Sequence, residues 1–253
     1  MSMVHFVGAG PGAEDLITLR GRNLIEGADV IIYAGSLINP KLLKYAKSLC
    51  EFFNSAEMTL DEVIETIKNA VTREKTVVRL HTGDPSVYGA IREQMNRLSV
   101  LNIEYDVCPG VSSFSAAAAS LTAEYTLPGV SQTVILTRAA GRTPVPEKES
   151  IRSLAAHNAS MAIFLSAHLL ETVSTELVEG GYAPDTPAAI VYKASWPDEK
   201  ILRCDVSELA EKAVENNIGK TALVCVGNFL GDYHELSKLY SPDFSTGYRE
   251  AKQ

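Results

Sequence analysis

The sequence has no excess of basic residues. It contains 23 Lys and Arg against 31 Asp and Glu, which gives a formal net charge of −8 at pH 7. Nonspecific nucleic-acid binding needs a basic surface that neutralises phosphates, so we do not expect that class of partner. A small anionic substrate is compatible with the charge, because a few local Arg or Lys residues override the net charge in one place.

Long apolar runs are lacking as well. No stretch of the chain is long enough to span a bilayer. The N-terminal residues show neither the basic start nor the apolar core of a signal peptide. We therefore expect no membrane partner and a cytoplasmic location.

Cysteine and histidine are scarce and scattered. The four cysteines form no CxxC pair, and the five histidines lack the spacing of metal ligands. Cys108 and Cys225 lie in apolar, strand-like runs, which favours buried free thiols. The sequence thus predicts no metal site.

What the sequence does contain is strands that alternate with helices. Apolar, strand-like runs in VHFV, ADVIIY, TVVRLHTG and IEYDVCPG alternate with helix-like stretches. We expect the first helix to be capped by Thr18 and to place Leu19, Leu24 and Ile25 on one face. Such alternation is typical of βαβ units around a mainly parallel sheet.

The pattern changes in the segment LTAEYTLPGVSQ, which contains a Pro-Gly pair and little periodicity. Beyond it, five strand-like runs are separated by only two helix-like segments, around 169–177 and 209–216, which indicates a mixed sheet. We predict an α/β protein with an N-terminal domain over 1–118, a C-terminal domain over 119–240, and a loose polar tail over 241–253.

The first loop that could bind a ligand is GAGPG, Gly8 to Gly12, directly after the first strand. It departs from the dinucleotide fingerprint GxGxxG, because Gly12 comes one position early and Pro11 has no N–H for a phosphate. Glu14 and Asp15 would repel phosphate, and no carboxylate follows the second strand. A tight turn that allows close backbone packing is the more ordinary interpretation.

Two further loops follow strands of the first half. In HTGDPSVYG, Gly83 permits a sharp turn, and Asp84 is either a helix cap or a ligand contact. A lone His81 beside a buried strand is more often structural than catalytic. In CPGVSSFSAAAAS, Ser112 and Ser113 either bind a polar ligand or cap the helix.

Together, GAGPGAEDLITLRG, LHTGDPSVYGA and CPGVSSF resemble the tetrapyrrole (class III) S-adenosylmethionine methyltransferases over nearly the whole chain. IIYAGSLINP, SQTVILTRAAGRTPVPEKES and VYKASWPDEKILR are similar to the branch that methylates C11 of precorrin-4 in cobalamin biosynthesis. The resemblance implies two α/β domains with the cofactor in the cleft between them, and a homodimer. Neither the cobalt content of the substrate nor the identity of any catalytic residue follows from it.

The resemblance also implies a set of contacts for the cofactor S-adenosyl-L-methionine. They are Pro11, Thr82, Gly83, Asp84, Val87, Ser112, Ser113, Leu165, Ala194 and Ala222. The substrate would be an anionic tetrapyrrole, whose carboxylates call for basic side chains. The expected candidates are Arg138, Arg142 and Lys193.

One departure from the wider family narrows the substrate. Uroporphyrinogen III methyltransferases carry an acidic residue after the second strand, where this chain has Ala34. This argues against uroporphyrinogen methylation. The alternatives still open are another class III methyltransferase acting on a different precorrin carbon and a non-catalytic tetrapyrrole-binding protein. A dinucleotide-dependent oxidoreductase is disfavoured by the GAGPG loop.

Overall fold

The computed structural model describes residues 3–251, which divide into two compact units. The first unit contains the residues up to Ala116 together with Lys193–Glu199. The second contains Ala117–Tyr192 and the chain from Lys200 onward. The segment Lys193–Glu199 therefore belongs to the first unit although the sequence places it in the C-terminal half.

The first unit is built on a five-stranded sheet that is parallel throughout, with strand order β3-β2-β4-β1-β5. Its strands are β1 Val4–Gly8, β2 Val30–Tyr33, β3 Glu51–Asn54, β4 Val77–His81 and β5 Tyr105–Cys108. Its helices are α1 Leu19–Gly27, α2 Pro40–Leu43, α3 Leu60–Thr72 and α4 Ile91–Val100. A fifth helix, α5 Ser113–Leu121, has its first residues in this unit and its last residues in the second.

Both faces of this sheet are covered, which explains its apolar strands. Val4, Phe6 and Val77 pack with α3 and α4 on one face, whereas the alternate residues Val7 and Val78 pack with α1 and α2 on the other. Because successive strand residues point to opposite faces, a strand buried on both sides reads as a continuous apolar run.

Two helix starts show how local sequence fixes the elements. The Thr18 hydroxyl accepts a hydrogen bond from the Gly21 backbone N–H (3.0 Å), so the predicted cap of α1 is confirmed. Ile25 is fully buried, but the prediction for Leu19 is wrong, since 81% of it is exposed at the first position of the helix. Thr59 and Glu62 form a capping box at the start of α3.

The strand order places the carboxyl ends of β1 and β4 side by side in the middle of the sheet. After β1 the chain moves toward β2, and after β4 it moves the opposite way, toward β5. Ligands of open α/β sheets bind where neighbouring connections diverge in this manner. A ligand-binding site is therefore expected at the loops that follow β1 and β4.

The second unit contains a mixed five-stranded sheet of order β6-β7-β10-β8-β9, in which only β6 and β7 are parallel. Its strands are β6 Val134–Arg138, β7 Ser160–Phe164, β8 Pro187–Tyr192, β9 Lys200–Asp205 and β10 Ala222–Val226. Its helices are α6 Ile151–Ala155, α7 Leu170–Gly180 and α8 Leu209–Glu215. The predicted fold class, a parallel and a mixed α/β sheet, is confirmed, with α6 as a helix that the sequence pattern did not predict.

Within residues 239–249, the Arg249 guanidinium donates to the carbonyls of Leu239, Ser241 and Phe244. Among residues 3–251, no helix is both long enough and apolar enough to cross a lipid bilayer.

Candidate active site

The loops after β1, β4 and β5 meet backbone to backbone. The Gly10 and Gly83 peptides exchange hydrogen bonds in both directions (3.3 and 2.8 Å), and the Ala9 N–H donates to the His81 carbonyl (2.8 Å). A Cβ on Gly8 would lie 2.6 Å from both the Gly110 Cα and the Gly83 carbonyl oxygen. The close approach requires glycine at Gly8 and Gly110, where a Cβ would overlap the backbone of a neighbouring loop.

Polar backbone groups of the GAGPG loop and of the adjacent Ala13 form hydrogen bonds within the protein. Besides Ala9 and Gly10, the Ala13 N–H donates to the Ser195 hydroxyl (3.0 Å). The Pro11 carbonyl accepts from the Trp196 indole N–H (2.9 Å), and the Gly12 carbonyl accepts from the Asn39 amide (2.7 Å). These N–H groups are committed to internal partners and Pro11 has none, so the loop does not offer the row of donors that a phosphate needs.

In the segment Lys193–Glu199, the sequence predicted Lys193 and Ala194 as site residues, but the contacts of Ser195 and Trp196 were not predicted. Trp196 is the one tryptophan of the chain, and a Cβ on Gly12 would overlap its indole ring. The Ser195 N–H donates to the Glu199 carboxylate (2.6 Å), which closes the segment into a compact turn. A lone tryptophan two residues after a predicted cofactor residue, Ala194, was the available signal.

Asp84 joins the second loop to the third. One carboxylate oxygen accepts from the Ser86 N–H (2.8 Å) and the Ser86 hydroxyl, and the other accepts from the Gly110 N–H (2.8 Å). Burial by itself raises the pKa of Asp84, but the hydrogen bonds from Ser86 and Gly110 outweigh it and the pKa is lowered. One oxygen thus caps the turn at Ser86, and the other holds the second loop to the third.

The far end of the second loop is fixed by a buried arginine. The Arg79 Nε donates to the Gln94 amide oxygen (3.1 Å), and the Gln94 amide nitrogen donates to the Ala90 carbonyl (3.1 Å). Burial lowers the pKa of Arg79 to about 10, so the guanidinium stays charged at neutral pH. A buried charge therefore supports the backbone turn that ends the loop.

His81 ends β4 on the same side as Arg79. Its ring lies 6.0 Å from the Phe6 ring between centroids, and its buried Nε2 has no hydrogen-bond partner within residues 3–251. Burial, with a smaller contribution from Arg79, lowers the pKa of His81 to about 3. A neutral, enclosed imidazole at neutral pH fits the structural interpretation better than an acid or base.

Several predicted cofactor residues are brought together in the first unit. Gly83 has a φ of +60°, and a Cβ placed on it would lie 3.6 Å from the Ser113 nitrogen and 3.7 Å from the Ser112 Cα. Ser112 is buried, whereas Thr82 is exposed at the start of the turn. The unsubstituted face of Gly83 is therefore turned toward the start of α5.

The remaining cofactor candidates lie in different places. Leu165 follows β7 in the second unit, with φ +55° and 63% of the residue exposed. Ala222 begins β10 and pairs with Tyr192 of β8. Ala194 is buried in the segment of the first unit that carries Trp196. An exposed leucine in left-handed backbone is an unfavourable choice unless something covers it.

The basic candidates differ in what they contact. The Arg138 guanidinium donates to the carbonyls of Ala139 (3.2 Å), Thr143 (3.1 Å) and Pro144 (2.7 Å), so it holds its own loop. Lys193 pairs with Asp198 (2.6 Å). Arg142 is exposed in the loop that Arg138 organises, and has no hydrogen-bond or ion-pair partner in the described part of the chain.

Comparisons with known proteins point to one family. The family model of the Tetrapyrrole (Corrin/Porphyrin) Methylases matches residues 3–210. The cobalt-precorrin-4 C(11)-methyltransferase of Methanocaldococcus jannaschii is 55% identical, covering 98% of this chain and 96% of that protein.

Two solved structures are similar. A cobalt precorrin-4 methyltransferase superposes with a TM-score of 0.89 at 45% identity, covering 91% of this chain and 96% of that one. The uroporphyrin-III C-methyl transferase of Thermus thermophilus, complexed with S-adenyl homocysteine, superposes with a TM-score of 0.76 at 25% identity, covering 91% of this chain and 94% of that one. This chain belongs to the tetrapyrrole (corrin/porphyrin) methylase family.

Proposed function

We propose that the chain transfers a methyl group from S-adenosylmethionine to C11 of precorrin-4 or cobalt-precorrin-4, a step of cobalamin biosynthesis. The observation that carries the proposal is the junction of three glycine loops at the carboxyl ends of β1, β4 and β5, in a chain 55% identical to a cobalt-precorrin-4 C(11)-methyltransferase. That relative favours the cobalt form of the substrate.

The residues fit a cofactor held by backbone groups and apolar contacts. Gly83 presents no side chain toward Ser112 and Ser113, and Leu165 exposes an apolar side chain from strained backbone. We assign to the cofactor, by the resemblance, Pro11, Thr82, Gly83, Asp84, Val87, Ser112, Ser113 and Ala194 in the first unit and Leu165 and Ala222 in the second. Asp84 acts in this set by holding two loops rather than by its free carboxylate.

The cofactor supplies a sulfonium, which is a good leaving group. In the transfer the sulfur–methyl bond breaks as the bond to the tetrapyrrole carbon forms, and a proton is lost from the electron-rich pyrrole system. The protein's task is then to align the two reacting carbons and to exclude water. Rigid loops such as those joined by Asp84 and Gly110 suit this task.

The substrate carries several carboxylates, which arginine binds through charged hydrogen bonds. Of the predicted basic residues, Arg142 is the one whose guanidinium has no partner in the described chain, so we assign it to substrate binding. Arg138 acts indirectly, by fixing the loop that carries Arg142. Lys193 pairs with Asp198, and its ammonium group has further N–H donors for a substrate carboxylate.

The decisive experiment incubates the protein with labelled S-adenosylmethionine and either precorrin-4 or cobalt-precorrin-4, followed by identification of the labelled carbon. Label at C11 is expected. Label at another carbon would favour a different methyltransferase of the family. Binding of S-adenosylhomocysteine and tetrapyrrole without transfer would favour a non-catalytic binding protein. We also propose that the protein is a homodimer, which the family resemblance supports, and that it is located in the cytoplasm.

A further inference from the structure

Within residues 3–251, all but one of the non-glycine residues with left-handed backbone fall into two groups. Five such residues follow the C-terminal ends of helices, where this conformation is common; they are Glu74, Asn102, Thr122, Asn158 and Asn217. A sixth, Thr221, directly precedes β10. The other five lie in loops that carry proposed site residues; they are Tyr88, Ala90, Leu165, Lys193 and Ser195.

Tyr88 stands out within the second group because it is the one aromatic residue in it. Its φ is +55°, which a bulky side chain adopts only when its surroundings impose it. It follows Val87 directly, and 45% of it is exposed. A large, accessible side chain held in strained backbone beside a proposed cofactor residue is a candidate for contact with a ligand.

The loop around Tyr88 is fixed on both sides. Asp84 ties its start to Gly110. Gly89 packs so tightly on the Pro85 carbonyl that a Cβ would overlap it, and the Ala90 carbonyl is held by Gln94, itself held by the buried Arg79. The position of Tyr88 is therefore set by the protein and not by chance in a mobile loop.

We propose that Tyr88 is a substrate-contacting residue whose aromatic ring packs against the tetrapyrrole and helps to select it. The inference rests on the proposed function for the nature of the substrate. A flat, conjugated ligand bearing carboxylates suits a partly exposed phenol ring, which offers an apolar face together with a polar tip. Tyr88 lies in the loop that follows the central strand β4, at the edge of the sheet where the topology places ligands.

The test compares Tyr88→Gly, which keeps the left-handed backbone and removes the ring, with Tyr88→Phe, which keeps the ring. Glu74→Gly is the matched control, because Glu74 is an exposed left-handed residue at the end of α3. Three quantities are measured: Tm, the Kd for S-adenosylhomocysteine, and the Kd for cobalt-precorrin-4 by quenching of protein fluorescence.

We expect Tyr88→Gly to weaken tetrapyrrole binding by about tenfold or more, with Tm not lowered and the Kd for S-adenosylhomocysteine within about twofold of the wild type. Tyr88→Phe and Glu74→Gly should both bind tetrapyrrole within about threefold of the wild type. A Tyr88→Gly variant that binds tetrapyrrole normally, or that loses S-adenosylhomocysteine instead, would overturn the proposal.

The outcome is separable from that of the proposed function. If the wild type binds tetrapyrrole but transfers no methyl group, the proposed function fails while the contribution of Tyr88 is still measured. If the wild type binds no tetrapyrrole, both proposals are wrong.

Discussion

Gly12 occupies a position at which a side chain has no room. The indole of Trp196 lies against its Cα, and Trp196 also donates to the neighbouring Pro11 carbonyl. The backbone of Gly12 does not lie in the left-handed region, so packing and not conformation requires the glycine. Trp196 thus couples the first loop to a segment that lies 185 positions beyond Pro11 in the sequence.

A double-mutant cycle tests this coupling. Gly12→Ala should lower the free energy of unfolding by about 1–3 kcal/mol, because the added methyl group overlaps the indole. In a Trp196→Ala background the same change should cost less than about 0.5 kcal/mol, since the obstacle is gone. Urea denaturation of the four proteins measures both values. Additive costs would mean that Gly12 is required for another reason.

Asp84 gives the loops a dependence on pH. Its folded-state pKa is lowered, so its stabilising contribution is complete above the ordinary aspartate pKa of about 3.9 and is lost as the pH falls through the folded value. Asp84→Asn should lower the free energy of unfolding at pH 7 by about 1–2 kcal/mol through the lost charged hydrogen bonds.

The comparison is made by denaturation at pH 7 and at successively lower pH. The difference between wild type and Asp84→Asn should shrink as the wild-type carboxylate becomes protonated. Asp15→Asn, an exposed carboxylate in the neighbouring loop, should stay within about 0.5 kcal/mol of the wild type throughout. A difference that is constant with pH would contradict the assignment.

At the scale of elements, the loops after β6 and β7 show how one arginine organises a segment through hydrogen bonds to backbone carbonyls. β6 and β7 are parallel, so their carboxyl ends lie side by side, with Arg138 opposite Phe164. The Ala139 N–H donates to the Ser166 hydroxyl (2.9 Å), which links the two loops. Arg138 then donates to the carbonyls of Thr143 and Pro144, which fixes the loop, whereas the Arg142 side chain of the same loop is exposed.

The roles of these two arginines are separable by substitution. Arg138→Gln should lower the free energy of unfolding by about 1–2 kcal/mol, because carbonyl groups of the loop lose a charged donor. Arg142→Gln should leave stability unchanged and weaken tetrapyrrole binding by roughly 1.5–3 kcal/mol. Neither should alter the Kd for S-adenosylhomocysteine. Unchanged tetrapyrrole affinity in Arg142→Gln would remove Arg142 from the substrate site.

At the scale of the whole molecule, the chain does not divide at a single point. Most residues of the first unit belong to the N-terminal half of the chain. The unit also includes Lys193–Glu199, the segment between β8 and β9. The chain therefore leaves the second unit and returns to it. The domain boundaries at 118 and 240, drawn as single cuts, remain a prediction that ignores this excursion.

Sedimentation velocity tests the proposed homodimer. At micromolar concentration the protein should sediment as a species of twice the 27.3 kDa chain mass. The expectation comes from the family resemblance, and the physical requirement is a self-complementary surface on each copy. A single monomeric species at these concentrations would contradict it.

Sequence by itself determined the elements whose signals are local. The apolar runs of β1, β2 and β4 are readable because both faces of a covered parallel sheet exclude water. The cap at Thr18 needs only neighbouring residues. The three loop motifs were also enough to identify the family, since each is a short, continuous stretch.

Tertiary structure decided what depends on distant partners. β3 was not predicted, because Glu51–Asn54 is a short edge strand with an exposed Phe52 and no fully buried face. Leu19 was predicted on the same helix face as Ile25 but is exposed, because sequence periodicity does not show how far the packed surface extends along a helix. The docking of Trp196 on Gly12, the capture of Arg138 by its own loop and the left-handed backbone of Tyr88 all result from packing between segments that sequence spacing does not encode.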